Sequence, residues 1–135
     1  MSAPAAGLLD TSVFIARETG RALGELPERV AVSVVTIGEL QLGVLQATDG
    51  ATRARRAETL ALARTADPIP ISEAVMVTWA RLVTDCRAAG VHRTIKLTDA
   101  LIAATAIEHG LPVVTQDNDY DQMAVAHAPL QVLNV

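Results

Sequence analysis

The stretch from residue 96 to residue 123, KLTDALIAATAIEHGLPVVTQDNDYDQM, constrains the fold of this chain more than any other. Its first part predicts a helix over 99–109, and Gly110 supplies a helix stop. Residues 100–107 carry almost nothing polar, so we expect this helix to be buried nearly all round, with alanines that allow close approach to a sheet. A short apolar segment, 111–115, then predicts a strand, and a turn rich in carboxylates follows it.

Strands and helices alternate along the rest of the chain. The apolar patterns predict strands over 7–9, 30–35, 68–71, 111–115 and 130–133. They predict helices after Asp10, over 36–47, over 52–66, from Ser72 to Gly90, over 99–109 and over 119–126. Two prolines in 68–71 favour an edge position for that strand. This alternation predicts an α/β fold with a mainly parallel sheet, and 135 residues suit a single domain, 1–135.

Composition and charge exclude several classes of protein. Half of the residues are hydrophobic and the net charge is −4, so the chain lacks the broad basic surface of a non-specific DNA binder. One Phe, one Tyr and one Trp are too few for a base-stacking platform. Cys86 stands alone, which excludes an internal disulfide and favours a small buried hydrophobe. The N-terminal residues do not resemble a signal peptide and no apolar run approaches membrane-spanning length, so we expect a cytoplasmic protein without a membrane partner.

Five carboxylates stand at the predicted ends of strands and starts of helices. Asp10 follows the first strand, and Glu39 lies in the first turn of the helix after the second strand. Asp99 opens the apolar helix, and Asp117 and Asp119 follow the fourth strand. Each has a structural alternative. Asp10 can cap a helix, Glu39 can complete a Thr-x-x-Glu capping box, Asp99 suits a helix dipole, and the last two suit a turn.

Taken together, the carboxylates predict a metal site. The carboxyl edge of an open α/β sheet is where ligands bind, and several of these acids belong at that edge. Carboxylates gathered there repel one another, and a divalent cation removes the repulsion. All-oxygen ligation suits Mg²⁺ or Mn²⁺, and such a site suits phosphodiester hydrolysis without a histidine base. The three histidines are scattered along the chain, and we expect His127 at the surface.

Four segments resemble the motifs of the PIN-domain ribonucleases and, within them, of the VapC toxins of type II toxin–antitoxin systems. They are LLDTS at 8–12, TIGEL at 36–40, TDALIAA at 98–104 and VVTQDNDY at 113–120. The last segment departs slightly from the family pattern, with Tyr120 where Phe is common. The resemblance covers nearly the whole chain, and the four motifs occur in the family's order.

The resemblance implies a three-layer α/β/α fold around a five-stranded, mainly parallel sheet. It implies an endoribonuclease dependent on Mg²⁺ or Mn²⁺, with Asp10, Glu39, Asp99 and Asp117 as the catalytic, metal-binding quartet. Asp119 would be an auxiliary metal ligand, directly or through water.

The resemblance also implies support residues, partners and substrates. Thr11 and Thr115 match positions that support the site by hydrogen bonding to the carboxylates. The family forms homodimers, is inactivated by a VapB-type antitoxin whose tail blocks the site with a basic side chain, and cleaves structured RNA such as tRNA or rRNA. We expect this chain to share these properties.

Basic residues near the motifs are candidates for RNA contacts. Arg17 follows the first motif, and Arg93 and Lys96 precede the third, so all three are candidates for binding RNA phosphates. Four arginines of the middle helix form either a solvated face or an antitoxin contact: Arg53, Arg55, Arg56 and Arg64.

Two other functions fit part of the pattern. A receiver-type phosphoacceptor domain has a similar size and an acidic Mg²⁺ pocket, but it needs a paired acid at the first strand and a lysine at a late strand end. Here Thr11 follows Asp10, and the only lysine, Lys96, precedes a helix. A non-catalytic PIN scaffold is the other alternative, and the complete quartet argues against it.

Overall fold

The computed structural model describes residues 3–135, so the first two residues of the predicted domain lie outside the described part. The elements in chain order are β1 (Ala6–Leu9), α1 (Thr11–Thr19), β2 (Arg29–Ala31), α2 (Val34–Gln46), α3 (Gly50–Arg64), α4 (Glu73–Ala88), a 3₁₀ turn (His92–Thr94), α5 (Leu97–Glu108), β3 (Val113–Thr115), α6 (Asp119–Ala126) and β4 (Val132–Asn134). No helix within residues 3–135 is both long enough and apolar enough to cross a bilayer.

The strands form one parallel sheet in the order β2-β1-β3-β4. Leu8 pairs with Val113 and Leu9 with Val114, which places β1 and β3 side by side at the centre. Because all pairs are parallel, the carboxyl ends of the strands lie at one edge. The predicted α/β class and parallel sheet are confirmed.

Over residues 3–135, the sheet has four strands where five were predicted. The missing strand is reduced to an isolated bridge at Ile69, whose N–H donates to Val32 O (2.8 Å) and whose carbonyl accepts from Val34 N (3.0 Å). Pro68 and Pro70 flank this bridge, and neither has an N–H to donate to the ladder. The prolines therefore prevent the pairing from growing into a strand beside β2.

Helices cover both faces of the sheet. Leu8 and Val113 pack into a core cluster with side chains of α4, α5 and α6. Their neighbours Leu9 and Val114 pack into a second cluster with α1, α2 and α3. Successive residues of a strand face opposite sides, so two central strands supply both cores. The predicted three-layer α/β/α arrangement is confirmed.

Helix α5 lies within the first cluster. Six consecutive or near-consecutive side chains are buried: Ala100, Ile102, Ala103, Ala104, Thr105 and Ala106. Small side chains keep the helix axis close to its neighbours, as the alanine-rich pattern predicts. The helix begins at Leu97, two residues earlier than predicted, so Asp99 lies inside its first turn. Gly110 follows the helix with a φ of 65°, a left-handed conformation that glycine adopts without strain.

We expect Gly7→Ala to destabilise the protein by about 1–3 kcal/mol, the usual cost of overpacking a core. A Cβ at this position of β1 would lie 2.6 Å from Val114 Cγ2 and 3.0 Å from Pro27 Cγ. Gly38→Ala is the matched control, because a Cβ there meets nothing within 4 Å. The control should be neutral or stabilising by up to about 1 kcal/mol, since Ala is the better helix former. Urea unfolding of both variants measures the difference, and equal effects would contradict this packing.

Candidate functional site

An acidic cleft lies at the carboxyl edge of the sheet. Asp10 follows β1, Glu39 lies in the first half of α2, Asp99 lies in the first turn of α5, and Asp117 follows β3. All four carboxylates line this cleft, together with Thr11, Ser12, Ile15, Arg21 and Lys96. The structure therefore brings the predicted quartet together, although α5 has no strand directly before it.

Asp10 is both a helix cap and a wall of the cleft. Its side chain is only 2% exposed, and its Oδ2 accepts from Ser12 N (3.3 Å), which caps α1. The same oxygen accepts from the Thr115 hydroxyl at 3.0 Å. Its Oδ1 accepts from the Tyr120 hydroxyl at 2.8 Å. Three donors from three parts of the chain thus fix this carboxylate.

Glu39 is oriented by a threonine of another helix, and it is not part of a capping box. The Thr11 hydroxyl donates to Glu39 Oε1 at 2.7 Å and lies 3.1 Å from Thr36 Oγ1. Helix α2 begins before Thr36, and its cap is Ser33, whose Oγ accepts from Val35 N at 3.1 Å. The capping interpretation of Glu39 is wrong because Ser33 supplies the cap one turn earlier. The Glu39 carboxylate does not cap α2 and instead lines the cleft.

Thr115 joins the two acids that follow β1 and β3. Besides donating to Asp10, its fully buried hydroxyl accepts from Asp117 N at 3.0 Å. It also lies 3.2 Å from Ser12 Oγ, which in turn accepts from Gln116 N at 3.0 Å. These bonds fix the turn after β3 against the start of α1, and so fix Asp117 relative to Asp10.

Burial and mutual repulsion disfavour the charged forms of two cleft acids. Burial, followed by the charges of Asp10 and Glu39, raises the pKa of Asp99 from an ordinary 3.8 to about 6. Burial, followed by the charges of Asp10 and Asp119, raises the pKa of Asp117. Asp119 is exposed in the first turn of α6, so it contributes charge near the cleft without lining it. A nearby cation would relieve this repulsion.

Two cations border the cleft, and one of them was not a sequence candidate. Lys96 and Arg21 both line it, and both act to lower the pKa of Asp117 against the rise from burial. Arg21 follows the glycine that ends α1, where the chain reverses direction. In the sequence, the position of Arg21 directly after the helix-ending Gly20 was the only indication of this role. Arg17 lines a separate apolar cavity, and Arg93 is exposed on the 3₁₀ turn.

Tyr120 is the functional candidate that motif reasoning treated as neutral. It is 0% exposed, and its hydroxyl lies 2.8 Å from Asp10 Oδ1 and 3.4 Å from Asp99 Oδ1. Burial, followed by the two acidic neighbours, raises the pKa of the phenol, so it remains a donor. The available signal was helical spacing: Tyr120 and Met123 lie three residues apart, and both are buried on α6. A buried phenol after an acidic turn needs an acceptor.

No histidine lines the cleft in the described part of the chain. His92 lines an apolar cavity between α4 and α5. His127, which was expected at the surface, is only 8% exposed, and its Nδ1 lies 2.7 Å from Asp85 Oδ2. This contact links the end of α6 to α4, and packing between these helices explains the burial.

The donor set of the cleft fits a hard divalent cation. Four carboxylates supply oxygen ligands, and Mg²⁺ and Mn²⁺ prefer these over nitrogen or sulfur. Within residues 3–135, no three acidic, His or Cys side chains converge closely enough to enclose an ion without rearrangement. Without a cation the carboxylates of the cleft repel one another, which disfavours close approach. Hydroxyl donors also hold the carboxylates of Asp10 and Glu39 in their present positions. Side-chain rotation within the cleft would therefore accompany metal binding.

Comparison with known proteins identifies the class to which this fold and cleft belong. The PIN domain family profile matches residues 7–126. Ribonuclease VapC8 of Mycobacterium tuberculosis is 78% identical over 100 residues, which cover 74% of this chain and 89% of that protein. Ribonuclease VapC5 of the same organism is 42% identical over 134 residues, which cover 98% of this chain and 97% of the relative.

A solved structure also matches nearly the whole length of this chain. The crystal structure of VapBC-5, a member of the VapBC family of toxin–antitoxin systems from Mycobacterium tuberculosis, has a TM-score of 0.85 at 38% identity. The match covers 98% of this chain and all of that chain. The chain belongs to the PIN-domain family and, within it, to the VapC group. The predicted resemblance is confirmed, and it replaces the receiver-domain alternative.

We expect Asp99→Asn to stabilise the metal-free protein at pH 8 by about 2 kcal/mol. The pKa of Asp99 is about 6 in the folded protein, above its ordinary 3.8, so the folded state holds this proton more tightly. The free energy of unfolding therefore falls as pH rises from about 4 to about 6, and a neutral Asn removes that loss. Urea unfolding in EDTA between pH 4 and pH 8 measures the effect.

The matched control for this stability measurement is Asp121→Asn. Asp121 is an exposed aspartate of α6 that does not line the cleft. We expect this variant to follow the wild type within about 0.5 kcal/mol at both pH values. Equal stabilisation by both variants, or an Asp99→Asn gain that persists undiminished at pH 4, would contradict the assigned repulsion.

Proposed function

We propose that this protein is a metal-dependent endoribonuclease toxin of the VapC type, neutralised by a VapB-type antitoxin. One observation carries the proposal: Asp10, Glu39, Asp99 and Asp117 come from four separate segments and line one cleft. The membership of the chain in the VapC group, whose named relatives are ribonucleases, supports the reaction class. VapBC-5, a toxin–antitoxin system, supports the type of partner.

Mg²⁺ or Mn²⁺ is the cofactor that we propose for the cleft. Asp10, Glu39, Asp99 and Asp117 would hold it, and Asp119 would add a ligand directly or through water. When bound, such an ion lowers the pKa of a water molecule and stabilises charge on the scissile phosphate. The chain itself supplies orientation, because hydroxyls already fix two of the proposed ligands.

RNA is the substrate that we propose, with structured RNA such as tRNA or rRNA as the class. Arg21 and Lys96 border the acids on the same cleft, so they can bind phosphates adjacent to the scissile one. Arg93 is exposed near Lys96 and can extend that contact, whereas Arg17 lies away from the cleft. The small number of cations at the cleft suits a short contact with the backbone.

A groove of mixed polarity beside the cleft supports a protein partner. It lies between α1, α2 and α3, and it shares Thr11, Ile15 and Glu39 with the cleft. Helix α2, which forms one wall, also carries Leu42 and Leu45, which are 54% and 71% exposed and lie outside the groove lining. Exposed apolar side chains mark interaction sites, and an antitoxin that also filled the groove would lie next to the acids. A homodimer remains part of the proposal, to be tested by light scattering.

Two of the four arginines of α3 form hydrogen bonds to backbone carbonyls at the end of α2. Arg53 Nη2 donates to Ala47 O at 2.9 Å, and Arg56 Nη1 donates to Gly43 O at 2.7 Å. These bonds satisfy carbonyls near the end of α2, where cations are favoured by the helix dipole. Arg56 also lines the groove between α1, α2 and α3. Arg55 and Arg64 are exposed and make no such bond to α2, so they remain the candidates for antitoxin contact among the arginines of α3.

We expect purified protein to cleave RNA with Mg²⁺ or Mn²⁺, and Asp99→Asn to lower the rate at least about 100-fold. Loss of a ligand exceeds the 10–100-fold effect typical of residues that only support ligands. EDTA should abolish cleavage and added metal should restore it. The measurement is mapping of new RNA 5′ ends in total RNA, which also identifies the substrate.

Asp121→Asn serves as the matched control for cleavage, because it removes the same charge outside the cleft. It should cleave at the wild-type rate. Cleavage that survives in Asp99→Asn protein, or in EDTA, would sink the metal-dependent mechanism. Metal binding without cleavage of any RNA would favour the non-catalytic scaffold.

We expect the double variant Arg21→Gln, Lys96→Gln to bind RNA about 10-fold more weakly, with a shallower dependence on salt. Each lost phosphate contact reduces the slope of log K against log salt by roughly 0.7 for single-stranded RNA. Fluorescence anisotropy in the Asp99→Asn background isolates binding from cleavage. The control Arg55→Gln, Arg64→Gln removes the same charge from exposed positions of α3. Equal loss in both double variants would show that only net charge matters.

A further inference from the structure

We propose that the Tyr120 hydroxyl is a positioning group of the metal centre, which holds the Asp10 carboxylate in the orientation that binds metal. The inference rests on the proposed function of the cleft and deepens it. It assigns a role to a side chain that contacts two proposed ligands but offers no metal ligand of its own. It also predicts that the hydroxyl, rather than the aromatic ring, sets the affinity for metal.

The Tyr120 hydroxyl lies within reach of two acids of the cleft. The Tyr120 hydroxyl lies 2.8 Å from Asp10 Oδ1 and 3.4 Å from Asp99 Oδ1, so one donor stands between two acids. Both acids are nearly buried, at 2% and 8% exposure, and the donor residue Tyr120 is fully buried. A buried neutral donor between like charges weakens their repulsion and sets their spacing. The same donor would favour the close approach of the two acids that joint contact with one metal ion requires.

The Tyr120 hydroxyl also controls how the Asp10 carboxylate can turn. A carboxylate has about four lone-pair sites, and three donors on Asp10 leave about one for a metal. Two of these donors, Ser12 N and the Thr115 hydroxyl, bond to Oδ2. Among residues 3–135, the Tyr120 hydroxyl is the one donor to Oδ1. The terminal torsion of an aspartate is broad, so a carboxylate held at one oxygen alone can still turn.

The hydroxyl and the ring of Tyr120 have different contacts. The ring is part of the core cluster on the α5 side of the sheet, together with Met123 and Leu8. Phenylalanine would keep this packing and remove only the hydroxyl. The substitution Tyr120→Phe therefore isolates the proposed role, because the lost interaction is the bond to Asp10 and its contact with Asp99.

The principal experiment is calorimetric titration of Mn²⁺ into wild-type, Tyr120→Phe and Thr78→Val proteins, with urea unfolding of each in EDTA. The Thr78 hydroxyl donates to the carboxylate of Glu108 at 2.7 Å, and neither residue lines the cleft. Thr78→Val is therefore a matched loss of a hydroxyl–carboxylate bond between α4 and α5. We expect Tyr120→Phe to raise the Kd for Mn²⁺ about 10- to 100-fold and Thr78→Val to leave it unchanged.

The outcomes separate this inference from the proposed function. Wild-type protein that binds no Mn²⁺ would overturn the proposed metal-dependent function. Wild-type and Tyr120→Phe proteins with the same Kd would overturn only the role of Tyr120. A Kd raised equally by Thr78→Val would show that lost stability, and not lost orientation, weakens binding.

A second measurement needs no variant, because Tyr120 is the only tyrosine of the chain. Protein labelled with ¹³Cζ-tyrosine gives one resonance that reports on the hydrogen bond of its phenol. We expect addition of Mg²⁺ to shift this resonance, with the midpoint found by calorimetry, because the bonded Asp10 becomes a metal ligand. Metal binding that leaves the resonance unmoved would overturn the inference even where Tyr120→Phe protein does not fold.

Discussion

Repulsion among carboxylates at one edge of a parallel sheet is the constraint on which the rest of this structure depends. The parallel strands place Asp10 and Asp117 at that edge, and helix starts add Asp99. The raised pKa of Asp99, about 6, shows that burial and neighbouring charge oppose its ionisation. Neutral donors offset part of this cost: the hydroxyls of Thr115 and Tyr120 both bond to Asp10. The same hydroxyl groups therefore stabilise this edge of the sheet and orient the proposed metal ligands.

The helix behind Asp99 shows how packing serves the site. Helix α5 is buried along most of its length, and its small side chains keep it close to α4 and the sheet. A helix fixed on nearly all sides cannot withdraw its first turn when that turn carries an unfavourable charge. Its N-terminal dipole also favours an acid in that turn. The helix thus acts as a rigid mount for one ligand, as preorganised sites require.

Sequence patterns predicted the parts of this molecule that depend on local order. Asp10 and Asp117 follow apolar strands, so their place at the edge follows from parallel pairing. The cap at Ser33 was missed because Thr36 and Glu39 match a capping box, and the choice between the two depends on where β2 ends. The bond from Tyr120 to Asp10 spans 110 positions, and no local pattern carries a contact of that range. Local rules therefore located the acids, while tertiary packing decided what orients them.

The net charge of −4 does not conflict with the proposed action on RNA, which is a polyanion. Coulomb attraction falls off within a Debye length of about 8 Å at physiological salt, so the local field at the cleft matters more than the total charge. Arg21 and Lys96 line the cleft, and a divalent ion held by its carboxylates would add further positive charge there. The rest of the chain carries acidic and basic residues in similar numbers, so it offers no excess of positive charge for non-specific binding. For the proposed ribonuclease, this distribution favours contact at the cleft over contact along any strand.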